Sequence, residues 1–192
     1  MKRIIKDGTR AAEIIDRLRS LYKKSSPQRQ VIDVNEVIDE MVPLLRAEAN
    51  RYAVSIRTDV DRDVPKIMAD RVQLQQALMN LILNGIESMN ETGGVLTVKS
   101  RIESGDVTIS VSDTGRGLPT KNADKIFDAF FSTKPQGSGM GLAISRTIVE
   151  SHGGRLWATA NDGQGATFHL SLPTKSKAAE HPRTGIRADV RS

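Results

Sequence analysis

The chain has 192 residues, 38% of them hydrophobic, with 28 Lys/Arg against 23 Asp/Glu for a formal net charge of +5, no cysteine, and only four Phe, two Tyr and one Trp. That length holds one core that buries about two thirds of its unfolded surface, with room for flanking segments. The lack of cysteine excludes disulfides and thiolate metal sites; no apolar run reaches membrane-span length, and the basic start is not followed by the apolar core of a secretion signal.

The charge distribution argues against a nucleic-acid-binding domain. Residues 1–30 hold nine Lys/Arg against three Asp/Glu, residues 174–192 hold five against two, and the 143 residues between hold fourteen against eighteen. Positive charge therefore sits in the flanks, as a solvated helix face and a tail, while the middle is mildly acidic and lacks base-stacking aromatics. For this portion we expect a cytoplasmic location, no nucleic acid and no direct membrane contact.

Ile4, Gly8, Ala11, Ile15, Leu18 and Tyr22 fill a and d positions of three heptads, and Ile5, Ala12, Ile14 and Leu21 widen the stripe, which predicts a helix that packs in a bundle. Ser25-Ser26-Pro27 reads as a hinge. Asp33 with Glu36 forms a capping-box pattern that opens a helix with Val37, Met41, Leu44 and Leu45 on its buried side; Pro43 should bend or interrupt it. Val54, Ile56 and Thr58 alternate as a strand, 61–65 is a turn, 66–69 a short strand, and Asp70 caps the next helix.

That helix carries Leu74, Ala77, Leu78, Leu81, Ile82, Gly85 and Met89 as one apolar stripe. On its polar edge Asn80 and Asn84 stand four apart, one above the other, with Glu87 further along. Amide oxygens are neutral hard ligands, suited to a magnesium ion that also keeps waters and phosphate oxygens. Residues 95–101 and 107–113 read as strands joined by Ser104-Gly105-Asp106, the second ending at Asp113. A short helical piece over 123–131 contains Phe127, Phe130 and Phe131, whose spacing suits core or hinge plugs better than ligand contacts. A turn-rich loop leads to a helix from Gly139 through Ser151, stopped by Gly153-Gly154. Strands over 155–160 and 166–172 flank a glycine turn at 162–165, and the residues from Thr174 onward lack apolar content and should be disordered.

Three glycine-rich stretches follow the asparagine helix: Asp113-Thr-Gly115-Arg-Gly117-Leu-Pro119, Gly137-Ser-Gly139-Met-Gly141-Leu and Gly163-Gln-Gly165-Ala-Thr167-Phe. Each is weak alone, but the ordered set is specific. Together they resemble the N, G1, F and G2 boxes of the catalytic ATP-binding domain of two-component sensor histidine kinases. NGIESM, FFSTKP, GMGLAISRTIVESHGGRLWA and GATFHLSLP are most similar to the PAS-linked oxygen-sensing and nitrogen-regulatory type, and the match runs from about Ile4 to Pro173.

The resemblance implies an α/β fold, a two-layer sandwich of a mixed β-sheet with helices on one face (the Bergerat ATP-binding fold), plus an N-terminal bundle helix. Residues 1–26 would be the second helix of the dimerisation and phosphoacceptor hairpin, with 4–22 the stretch through which a homodimer would form. Residues 27–173 would be the catalytic ATP-binding domain and 174–192 a disordered basic tail. The cofactors it implies are ATP and Mg2+. Asn84 becomes the magnesium ligand and Asn80 a phosphate or metal-water contact; Asp113 recognises adenine through the amine at N6. Gly115 and Gly117 let the backbone lie against base and ribose, with Leu118 as a wall. Gly137, Ser138, Gly139, Met140, Gly141 and Leu142 form the phosphate loop and lid, Lys134 is a charge for the outer phosphates, and Thr167 orients the aspartate.

Catalysis would rest on Asn80, Asn84 and Lys134. The wider ATPase fold places a glutamate four residues before the metal asparagine as the base that activates water, and this chain has Asn80 there, which favours phosphoryl transfer over hydrolysis. None of His152, His169 and His181 sits in an acceptor motif. The expectation is a kinase domain that begins within the second hairpin helix, does not phosphorylate itself, and serves a histidine on another segment and then a response regulator. The alternatives are a nucleotide-dependent interaction module and an ATPase.

Overall fold

The computed structural model describes residues 28–119, 123–132 and 138–174. The heptad stretch, the Ser25–Pro27 hinge, Lys134, Gly137 and the tail from 175 onward lie outside the described residues. The order is β1 (Gln30–Ile32), α1 (Val34–Arg51), β2 (Val54–Val60), β3 (Ile67–Ala69), α2 (Arg71–Ser88), β4 (Gly94–Glu103), β5 (Asp106–Asp113), a 3₁₀ turn (Ala123–Phe127), α3 (Gly141–Ser151), β6 (Arg155–Ala160) and β7 (Ala166–Pro173).

Five strands form a mixed sheet in the order β2-β4-β5-β7-β6. The β2–β4 pair is parallel and the others antiparallel. Register puts Val98, Val111 and Phe168 side by side on one face, with Leu96, Ile109 and Leu170 in the same layer. All of these are buried under the helices, against Ile38 from α1, Leu78 and Ile82 from α2 and Val149 from α3. Strand residues one step away, Thr97, Lys99, Ser110, Thr167 and His169, therefore point to the opposite face, on which no helix packs among the described residues. The expected two-layer architecture is present.

The two long helices start where aspartates cap them. Asp33 accepts the Asn35 N–H at 2.9 Å, and Asp70 accepts the Gln73 N–H at 3.1 Å. The β4–β5 connection turns through Ser104 and Gly105 at φ 53 and 82, the two positive values of a tight hairpin turn.

Three expectations need correction, and one element was not anticipated. Pro43 does not interrupt α1; it lies on the exposed side, where the carbonyl it leaves without a helical partner can face water. Leu44 is 71% exposed, and the buried stripe instead runs through Val34, Val37, Ile38, Met41, Val42, Leu45 and Ala49. β1 was not foreseen: three residues pair antiparallel with β3 as a separate ribbon, too short for periodicity to register. Phe130 is 75% exposed with φ 68, so of the three phenylalanines only Phe127 and Phe131 pack against the core.

Candidate nucleotide site

α2 organises the site because its apolar stripe fixes which residues face away from the core. Leu74, Leu78, Leu81, Ile82 and Ile86 are at most 2% exposed. Asn80 and Asn84 are consequently held half-buried at the edge of the helix layer, while Glu87 is exposed on the rim. One turn beyond Asn84, Ser88 continues the row.

The two ends of that row touch different parts of the chain. At one end Asn80 Nδ2 donates to the Gly141 carbonyl at 3.2 Å and to Ser145 Oγ at 3.3 Å, which ties it to the start of α3. At the other end Ser88 Oγ lies 2.9 Å from Asp113 Oδ1. Eight residues of helix separate those ends by about 12 Å. Asn84 stands between them.

Asp113 is 2% exposed at the end of the central strand β5. The Gly115 N–H also donates to its Oδ1 at 2.9 Å, so both bonds fall on one carboxylate oxygen. Two glycines make the approach to this aspartate feasible. A Cβ on Gly85 would meet Leu96 Cδ1 at 2.3 Å and Asp113 Cβ at 3.6 Å, so α2 can lie this close to the sheet only without a side chain there. A Cβ on Gly165, whose φ is +99, would lie 1.9 Å from the Asp113 carbonyl oxygen. The β6–β7 turn thereby closes on the aspartate's backbone, and Asn161 Nδ2 donates to the same carbonyl at 2.8 Å.

The start of α3 differs from those of the other helices. Met140 occupies the N-cap and its side chain makes no cap hydrogen bond; the N–H groups of a helix's first turn and the positive end of its dipole form a ready anion site. Met140 packs with Ala77, Ile144 and Ile148 in a small apolar cluster between α2 and α3, and the Phe130 N–H donates to the Gly139 carbonyl at 3.0 Å. Ser138 and Leu142 are half-buried on either side of this start, and Gly117 and Leu118 lie in the loop after Asp113.

Thr167 stands apart from the other expected residues. Register pairs it with Ser112, on the sheet face opposite the helices; its hydroxyl donates its one proton to Asn161 Oδ1 at 2.6 Å and accepts from the Ser112 hydroxyl at 2.8 Å. Its connection to Asp113 runs through Asn161 to a backbone carbonyl. The neighbour that shares the carboxylate's face is Ala166, 2% exposed. Ser88, Gly85 and Asn161 were missed by sequence reasoning; only Ser88 had a usable signal, its four-residue spacing from Asn84.

Among the described residues no group of three or more His, Cys, Asp or Glu could hold a metal. A cation here would draw on amide oxygens, waters and a ligand's own phosphates, a donor set that fits magnesium. Nor is any described helix long and apolar enough to cross a membrane.

Residues 69–176 match the family described as histidine kinase-, DNA gyrase B-, and HSP90-like ATPases. The chain is 38% identical over 178 residues to the sensor histidine kinase TmoS of Ectopseudomonas mendocina, covering 90% of this chain and 18% of that protein. It thus spans about a fifth of that relative's length. Among solved structures, the nucleotide-free catalytic domain of histidine kinase ThkA superposes with a TM-score of 0.68 at 32% identity, over 77% of this chain and 96% of that one. Full-length ShkA in complex with AMPPNP gives a TM-score of 0.69 at 28% identity, over 77% of this chain and 31% of that one.

Proposed function

The chain belongs to the histidine kinase-, DNA gyrase B- and HSP90-like ATPase family, and from that premise we propose that it binds MgATP along α2 and donates the γ-phosphate to a histidine on a separate segment. The observation that carries this reading is the single helix row Asn80, Asn84, Ser88, which joins the start of α3 at one end to a buried carboxylate at the other. Triphosphate charge suits the first end and an exocyclic amine suits the second.

In this reading Asp113 Oδ2, the oxygen that neither Ser88 nor Gly115 uses, accepts from adenine N6. Asn84 ligates magnesium through its amide oxygen, and Asn80, whose amide nitrogen is engaged with α3, offers its oxygen to a metal-bound water. Gly115, Gly117 and Leu118 line the base and ribose, while Ser138, Gly139, Met140, Gly141 and Leu142 receive the phosphates with Gly137 and Lys134. Thr167 acts at a distance, through Asn161. Two-component signalling supplies the partners: a phosphoacceptor helix, then a response regulator, with residues 4–22 as the dimer contact in a cytoplasmic setting.

No carboxylate occupies position 80, so transfer to an imidazole is favoured over activation of water. Calorimetric titration with ATP and GTP, with and without magnesium, tests the site. ATP should bind, GTP should bind far more weakly, and Asn84→Ala should lose the magnesium-dependent part of the affinity. Equal binding of both nucleotides would refute the assignment of Asp113. Labelled ATP should place phosphate on an acceptor-helix peptide added in trans and not stably on this chain alone. Binding without transfer to any such peptide would favour a nucleotide-dependent docking module, and steady phosphate release lost in Asn84→Ala would favour an ATPase.

A further inference from the structure

Ser88 lies in the last turn of α2 and is half-buried. Its hydroxyl has two acceptors in reach, the Gly85 carbonyl at 2.8 Å and Asp113 Oδ1 at 2.9 Å. A hydroxyl carries one proton. A carboxylate oxygen is the stronger acceptor, so the proton goes to Asp113, with the carbonyl as the alternative it holds when the carboxylate is otherwise occupied.

The orientation of a carboxylate about its last torsion is broad and two-fold, so a buried aspartate does not fix its own plane. Here two donors, the Ser88 hydroxyl and the Gly115 N–H, fall on the same oxygen. The two donors also lie close to each other. A Cβ on Gly115 would lie 2.2 Å from Ser88 Oγ and 2.6 Å from the Ser88 carbonyl oxygen, and that carbonyl accepts the Arg116 N–H at 3.3 Å. The last turn of α2, the loop after β5 and the carboxylate are therefore interlocked at Ser88.

We infer that Ser88 is a positioning residue for base selection: by holding Asp113 Oδ1 it presents Oδ2, in a fixed plane, to the 6-amino group of an aminopurine nucleotide. The inference rests on the reading of this cleft as an ATP site. Ser88 itself need not touch the nucleotide; it acts through Asp113.

The test is a cycle between side chain and ligand. Wild-type protein, Ser88→Ala, Asp113→Ala and the double variant are each titrated calorimetrically with ATP and with purine riboside triphosphate, which lacks the 6-amino group. Loss of one hydrogen bond to the carboxylate should weaken ATP binding by about three- to tenfold in Ser88→Ala, with less than a twofold change for the ligand without the amine. In the Asp113→Ala background the serine substitution should have no further effect on either ligand. Equal weakening of both nucleotides by Ser88→Ala would make the residue merely structural and overturn the inference, as would an unchanged affinity for ATP. Wild-type protein that binds neither nucleotide overturns the ATP-site reading, and this inference with it. Because the readout is a ratio of two ligands on one protein, a general loss of folded fraction cannot imitate it.

Discussion

The close approach of α2 to the sheet makes an unusual prediction about Gly85→Ala, because two well-understood effects oppose each other. In an exposed helix interior, replacing Gly by Ala stabilises by roughly 0.8–1 kcal/mol. At residue 85 the new methyl would sit 2.3 Å from Leu96 Cδ1, and Leu96 is fully buried between helix and sheet. Overpacking of a tight core costs roughly 1–3 kcal/mol, so the net effect should lie between no change and a loss of about 2 kcal/mol. For a domain of this size each kcal/mol moves the thermal midpoint by about 2–4 °C. Leu96→Val supplies the control, since it shortens the side chain that the methyl meets. Alone it should destabilise by about 1 kcal/mol through the cavity it leaves; combined with Gly85→Ala it should cost clearly less than the sum, with a coupling of about 1 kcal/mol or more. Urea unfolding of the four proteins, followed by far-UV circular dichroism, measures all of these quantities. A stabilised Gly85→Ala variant, or strict additivity with Leu96→Val, would show that helix and strand are not in the contact described.

Three further predictions address other parts of the molecule. His152 is 6% exposed at the end of α3; its Nε2 accepts the Asp70 N–H at 2.9 Å and its Nδ1 faces the Ile148 carbonyl at 2.8 Å. His152→Ala should strand a backbone donor and cost about 1–3 kcal/mol, and a change in denaturation midpoint equivalent to less than about 0.5 kcal/mol would contradict the tie between the two helices. The chain's only tryptophan, Trp157, stacks on His169 at 5.0 Å and 11°, and burial, partly opposed by Glu103, holds the His169 imidazole below its usual pKa. Tryptophan fluorescence should therefore fall as pH drops below about 6.5, when a charged ring comes to lie against the indole. The unfolded chain takes up that proton first, so the stability His169 contributes is present above its ordinary pKa and lost on acidification; a fluorescence step above that range, or one that persists in His169→Gln, would count against the stack. Finally, hydrogen bonding to Arg71 at 2.6 Å holds the Glu40 carboxyl below the usual range. Its contribution is present at neutral pH and lost as pH falls through and below the ordinary glutamate value, so Arg71→Met should flatten the acid limb of the stability curve and leave the neutral-to-alkaline limb parallel to wild type.

Which features could be read in advance follows from the range of the forces involved. The α2 stripe, both aspartate caps and the β4–β5 hairpin are set by residues within a turn or two of each other, and periodicity or local hydrogen bonding identified them. Leu44 was misplaced because a stripe that must face both the sheet and α2 is wide, and sequence alone does not say which edge of it is covered. Thr167 was drawn to Asp113 by its position in a motif, yet strand alternation puts Ala166 on the carboxylate's face; a shift of one residue exchanges the two faces of a sheet completely. Ser88 and Asp113 are 25 residues apart, on elements whose patterns say nothing of one another. What brings them together is an absence of side chains at Gly85, Gly115 and Gly165, each of which would place a Cβ within 2.3 Å of an existing atom. A glycine in a helix reads as a weakness when only propensity is considered; at position 85 it is the condition for a helix carrying two amides and a hydroxyl to reach a buried acid. The geometry around Asp113 is thus set as much by where this chain omits atoms as by the polar groups it supplies.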